Sequence, residues 1–164
     1  MILGHGDIAR VLIDKKGWIF FAAGVSNSSE KRESEYQREI DLLLQQDKSR
    51  HLVYFSSLSI FYRNTRYQRH KKHMEDLIKK QFKTYTIVRL GNITWGTNPH
   101  TLINYFRRCM KKGEHLDIWD TYRYLVDKRE FLHWISRIPN WSCEMNITGK
   151  KMKVKQIVKL YVTT

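Results

Sequence analysis

Tyr67 and Lys71 stand four residues apart in a stretch of helical character, a spacing that puts a phenol and an ammonium on one helix face. An ammonium beside a phenol favours the phenolate, so Tyr67 is predicted to exchange a proton with a substrate hydroxyl or carbonyl near neutral pH. Ser57 lies ten positions upstream, where the apolar run Leu52 to Phe55 ends in Ser56-Ser57. A hydroxyl at the carboxyl end of a strand can orient the same substrate oxygen. A second constellation is Gly4-x-Gly6-x-x-Ala9, directly after the apolar Met1 to Leu3. It fits a phosphate cradle: one glycine for a tight turn, one for close backbone approach, and a small residue for helix packing. It equally fits a plain strand-to-helix turn. Asp7 opens the expected helix, favouring its N-terminus while repelling a phosphate placed too near. His5 can donate to a phosphate or simply face solvent. Arg89 and Arg123 can each grip a diphosphate through two parallel hydrogen bonds, or close a structural ion pair. His70 and His73 lack a third ligand and read as surface imidazoles, so no metal is expected.

Positioning these groups requires a sheet, and the chain alternates short apolar runs with amphipathic stretches, the pattern of parallel strands joined by crossover helices. Met1 to Leu3 is predicted as a strand, followed by a glycine turn and a helix through Ile8, Leu12 and Ile13. Trp18 to Val25 reads as a strand buried on both faces. Tyr36, Ile40, Leu43 and Leu44 mark a helix. Leu52 to Phe55 is the next strand, Tyr67 to Phe82 the next helix, and Thr84 to Leu90 another buried strand. Asn92 to Pro99 reads as a loop. Helices are expected at about Leu102 to Lys112 and Lys128 to Ile138, a short strand at Cys143 to Ile147, and a last helix after Val154. Trp95, Trp119, Trp134 and Trp141 read as core or subunit contacts.

The chain has 164 residues, 41% of them hydrophobic and 13% aromatic, with two prolines, so a single packed domain is expected over 1–164. No apolar run is long enough to span a bilayer, and the first residues lack the layout of a secretory signal, so the chain reads as cytoplasmic. Two cysteines, Cys109 and Cys143, are too few for a disulfide framework. Thirty Lys and Arg against sixteen Asp and Glu give a net charge of +14, a field that attracts phosphate-bearing partners. Sign alone does not choose among nucleotides, polymers and lipids. Nucleic-acid binding rests only on this charge and the interspersed aromatics.

Taken in chain order, these motifs resemble the extended short-chain dehydrogenase/reductases, the NAD(P)-dependent epimerases, dehydratases and reductases of nucleotide sugars. The resemblance is carried by Gly4-x-Gly6-x-x-Ala9, Phe21-Ala22-Ala23-Gly24, Phe55-Ser56-Ser57-x-x-Ile60-Phe61, Tyr67-x-x-x-Lys71-x-x-x-Glu75, Val88-Arg89-Leu90-Gly91-Asn92-Ile93-x-Trp95-Gly96 and Met145-Asn146-Ile147-Thr148-Gly149. It implies a Rossmann-like three-layer α/β fold with a mostly parallel sheet, lacking some strand-helix units, and a small substrate-side region over about 92–164. It implies that Tyr67 is the general acid/base, that Lys71 binds the nicotinamide ribose, and that Ser57 bonds the reacting oxygen. Cofactor contacts are implied at Gly4, Gly6, Asp7, Ile8, Ala22, Ala23, Gly24, Lys71, Leu90 and Asn92, and substrate contacts at Asn27, Arg89, Asn92 and Arg123. The implied cofactor is NAD or NADP, the implied partner a nucleotide sugar. The implied assembly is a homodimer or larger homo-oligomer, with the helices near Glu33 to Gln46 and Tyr67 to Phe82 paired across a two-fold and Glu33, Glu35, Glu39 and Asp41 facing the opposing cations. Relatives run to nearly twice this length, with two more strand-helix units after the glycine turn. The acid expected about 20 residues past that turn, to hold the adenosine ribose, has no clear counterpart. NADP preference, adenosine binding by another subunit and loss of dinucleotide binding all accommodate that absence.

Overall fold

The computed structural model describes residues 1–118 and 120–163; Trp119 lies outside the described residues. Five strands form one wholly parallel sheet: β1 (Ile2–Leu3), β2 (Trp18–Phe21), β3 (His51–Ser57), β4 (Tyr85–Leu90) and β7 (Cys143–Ile147), side by side in that order. Between them run α1 (Glu33–Leu44), α2 (Arg66–Gln81), α3 (Leu102–Lys111) and α4 (Lys128–Ile135). A second sheet joins β5 (Asn92–Ile93), β6 (Tyr122–Val126) and β8 (Lys150–Lys153), with α5 (Val154–Tyr161) closing the chain. The Rossmann-like three-layer architecture expected from the sequence is the one observed.

Side-chain alternation explains the layers. Trp18, Phe20, Val53, Phe55, Val88 and Leu90 point to one face, where Phe131 of α4 and the turn residues Ile8, Val11 and Leu12 cover them. Ile19, Phe21, Leu52, Tyr54 and Ile87 point to the other, under Leu43 of α1 and Met74 and Ile78 of α2. The small sheet is held on α3 and α5 through Ile103, Leu125, Met152 and Ile157. The helices of this lobe, α3 and α5, are those expected at about Leu102 to Lys112 and after Val154, whereas β5, β6 and β8 are not expected from the sequence: β6 opens on Tyr-Arg-Tyr and β8 is mostly lysine.

One element differs in kind. The helix expected after the glycine turn is a single 3-10 turn at Ala9–Val11, and Leu12 is already extended. A crossover between parallel strands needs about a dozen residues, and residues 4–17 barely meet that minimum. They cannot both wind a helix and return to the start of β2. The stretch Asn92 to Pro99, read as a loop, opens with β5, and other differences lie at boundaries: β2 ends at Phe21 and not Val25, and α4 at Ile135 and not Ile138. Trp95 packs on Phe131, as expected for a core residue, whereas Trp134 and Trp141 are exposed.

Candidate active site

A cleft of about 770 Å³ opens where β1 to β4 end. Its walls come from the segments that leave those strands: Gly4 to Ile8, Ala22 to Ser26, Ser56 to Ser59 and Leu90 to Ile93, with Arg123 from β6. The carboxyl ends of parallel strands are the usual place for ligands in open α/β sheets. Of the residues singled out from sequence, Gly4, Gly6, Asp7, Ile8, Ala22, Ala23, Gly24, Ser57, Tyr67, Lys71, Leu90, Asn92 and Arg123 all line it.

The two glycines of the turn have different reasons. Gly4 has φ +108, and a Cβ there would lie 2.4 Å from the Ala22 carbonyl oxygen, so the crossing of β1 past β2 requires it. Gly6 has open space where a side chain would stand, and that space belongs to the cleft. The expected helix N-terminus is absent, so the turn offers backbone and room but no helix dipole. Asp7 is bound up in the fold: its carboxylate accepts from the amides of Thr97 at 3.0 Å and Asn98 at 2.8 Å. Gly96, with φ +91, leaves the room for it.

Ser57 ends β3 and caps the 3-10 turn Leu58–Phe61, accepting from the Ser59 amide. Tyr67 and Lys71 lie on the inward face of α2, and the Lys71 ammonium is 5.7 Å from the Tyr67 ring centroid. Burial pushes the Tyr67 phenol above its ordinary value, against the opposing pull of Lys71 and of the Ser57 hydroxyl. The sequence led to the expectation of a lowered phenol; Lys71 acts in that direction, but desolvation outweighs it. Tyr67 is therefore arranged to hold its proton.

Lys71 itself is engaged. It donates to Glu39 Oε1 at 3.1 Å and to the Tyr54 hydroxyl at 3.0 Å. Glu39, expected on an outer face, is fully buried, and it also accepts from the Val25 amide and the Tyr54 hydroxyl, both at 2.7 Å, and contacts His70 Nε2 at 3.0 Å. His70, expected at the surface, is buried against it, while His73 is exposed. Among the described residues no three His, Cys, Asp or Glu side chains gather as a metal ligand set. The signal for Glu39 was present: it falls three residues after Tyr36 and four before Leu43, on the apolar stripe of α1.

Two expected substrate contacts lie elsewhere. Arg89 is outside the cleft, its guanidinium clamped by Glu75 at 2.6 Å and Glu144 at 2.5 Å. Two carboxylates on α2 and β7 satisfy it, so it holds elements together. Asn27 sits in a shallower neighbouring concavity, its side chain accepting from the Ser29 amide at 3.0 Å. Arg123 does face the cleft, donating to Tyr122 O and Thr121 Oγ1 beside Arg63. The Asn92 amide donates to Tyr124 O, tying β5 to β6 at the cleft wall. Asp7 is the one acidic residue among those lining the cleft, against Arg38, Arg63, Lys71 and Arg123. The walls therefore suit an anion.

No protein-family model matches the chain, and no curated protein matches it in sequence. Solved structures do match in fold. WbmG from Bordetella bronchiseptica, solved with NAD and UDP, superposes over 90% of this chain and 57% of its own, with 15% identity and a TM-score of 0.65. UDP-glucose 4-epimerase from Thermotoga maritima, solved with UDP-glucose, covers 88% and 60%, with 16% identity and a TM-score of 0.63. RMD from Pseudomonas aeruginosa, complexed with NADPH, covers 88% and 62%, with 16% identity and a TM-score of 0.61. The chain has the fold of these enzymes and spans little more than half their length.

Proposed function

We propose that the chain is a shortened member of the extended short-chain dehydrogenase/reductases, binding NAD or NADP and oxidising, reducing or epimerising a nucleotide-linked sugar. The observation that carries this reading is one cleft, at the carboxyl ends of the parallel strands, onto which Ser57, Tyr67 and Lys71 all open. The room at Gly6 and the cationic walls fit a dinucleotide, and the structural neighbours that hold NAD, NADPH, UDP or UDP-glucose support the chemical class. A bound nicotinamide supplies hydride chemistry.

The chain's own residues do the rest. Gly4, Gly6, Ala22, Ala23 and Gly24 offer backbone to the cofactor, and Lys71 grips the nicotinamide ribose through the proton left over from its bonds to Glu39 and Tyr54. Tyr67, kept protonated by burial, gives its proton to the reacting oxygen and recovers it. Ser57 orients that oxygen. Arg123 and Arg63 meet a substrate diphosphate. Titration with NADH and NADPH, read by nicotinamide fluorescence, tests the reading; no binding of either at millimolar concentration rejects it. Tyr67→Phe should leave cofactor affinity intact and abolish turnover.

A second reading is a binding protein without turnover, perceiving the nucleotide only. The tie of Lys71 to Glu39 and the raised Tyr67 phenol favour it. Tight binding of nucleotide sugars with no conversion in the presence of either cofactor would select it.

A further inference from the structure

Glu39, Tyr54 and His70 touch no ligand in the function proposed above, yet with Lys71 they form a buried, hydrogen-bonded polar cluster. Glu39 is a carboxylate with no access to solvent, and its two oxygens accept from four groups on three segments. Val25 N–H comes from the segment after β2, Tyr54 O–H from β3, and His70 and Lys71 from α2. Burial by itself would push such a carboxyl up, but the Lys71 ammonium, then His70 and the Val25 amide, hold it well below its usual range. Tyr54 is pushed well above its own value by burial and by Glu39, so it keeps its proton and donates it to Glu39 while accepting from Lys71. Because an ionised carboxylate only accepts, the His70 Nε2 facing it carries a proton.

The cluster meets the cleft wall through Val25 and Lys71, beside Gly24. A Cβ on Gly24 would lie 2.6 Å from Glu39 Oε1 and 2.8 Å from Lys71 Nζ. The backbone at Gly24 therefore runs directly over the ion pair, and Gly24 and Lys71 both line the cleft. A lysine side chain has four rotatable bonds and loses much freedom when fixed. Two bonds, to Glu39 and Tyr54, set both its reach and its direction.

We propose that Glu39 is a positioning residue for Lys71, fixing the ammonium so that its remaining proton points past Gly24 into the cofactor cleft. The proposal rests on the cofactor reading of the preceding subsection. Glu39 touches no ligand itself; it acts through Lys71, from α1, whose Tyr36 packs against Tyr67.

The test is a double-mutant cycle on cofactor affinity, using NADH and NADPH with the full chain. Glu39→Gln should weaken the tighter cofactor at least tenfold while circular dichroism stays native. Lys71→Met should weaken it to a similar degree, and Glu39→Gln/Lys71→Met no further than Lys71→Met alone. A merely structural role would lower the melting temperature and leave the Kd of the folded protein unchanged, or add to the Lys71→Met loss. If Glu39→Gln does not fold, Glu39→Asp keeps the charge but withdraws it by one methylene, and the same weakening is expected of it. Wild-type protein that binds neither cofactor overturns the cofactor reading and this role together. Wild-type binding with Kd unchanged in the Glu39 variant that folds overturns the role of Glu39 alone.

Discussion

Burial decides what a titratable residue does here more than its neighbours in sequence do, and His51 gives a clean measure. Its Nε2 is 2.9 Å from Thr86 Oγ1, its ring lies 4.1 Å from that of Trp18, and its Nδ1 has no hydrogen-bond partner. Burial, helped by Lys15, pulls its pKa from 6.5 down to about 4. Protonation is thus harder in the folded chain than in the unfolded one. The resulting stability is complete above about pH 6.5 and is lost as pH falls toward 4. The melting temperature should fall across that window, and His51→Phe, which keeps a ring against Trp18, should flatten the decline. An equal decline in the variant would assign the titration to other groups. The same principle separates what was legible at the site from what was not. Spacing in the sequence was enough to bring Tyr67, Lys71 and Ser57 to one cleft, since spacing fixes which face a residue takes. The sign of the Tyr67 shift was not legible, because desolvation depends on everything packed around the phenol, including Glu39 from another helix.

Elements are joined by residues that look like ligand contacts when read one at a time. Arg89 on β4 donates to Glu75 of α2 and Glu144 of β7, and Ser56 of β3 donates to the same Glu75 at 2.6 Å. Removing one partner of a buried pair leaves the other uncompensated, at a cost of about 3–5 kcal/mol. Glu144 and the partial exposure of Arg89 soften that, so Arg89→Met should lose about 2–3 kcal/mol in urea unfolding. Native stability with lost substrate affinity would return Arg89 to the cleft. Gly149 is the corresponding device in the small lobe. It joins β7 to β8 at φ +63, and a Cβ would fall 1.9 Å from the Leu125 carbonyl oxygen of β6. Gly149→Ala should therefore cost at least about 2 kcal/mol by displacing β6. The long elements β3, α2 and β4 were legible because β3 and β4 are continuous apolar runs buried on both faces and α2 repeats its apolar residues with helical spacing. The strands β5, β6 and β8 were not, since β5 is two residues inside a stretch that reads as a loop, β6 opens on Tyr-Arg-Tyr, and β8 is mostly lysine.

At the scale of the molecule the strand order itself makes a prediction about the ligand. In a full doubly wound sheet the order 3-2-1-4-5-6 reverses beside the first strand, and the dinucleotide lies across that crevice. Here the order runs in one direction from β1 to β7, and no described strand pairs with the far side of β1. The resemblance implies further strand-helix units between the glycine turn and β2, and there residues 9–11 make one 3-10 turn. On the cofactor reading proposed above, the segments from Ala22 to Ile93 would meet the nicotinamide end, and no strand among the described residues lies beyond β1 to enclose an adenosine. Binding energy should follow the wall. Reduced nicotinamide mononucleotide should bind within about tenfold of NADH, a difference of about 1.4 kcal/mol, as read by fluorescence titration at fixed salt. Since the cleft walls are cationic, both affinities should weaken as salt is raised. A preference for the dinucleotide of a hundredfold or more would mean that some other surface holds the adenosine. In that case the affinity for NADH, and not for the mononucleotide, should rise with protein concentration, because a second copy is the surface available to supply that wall.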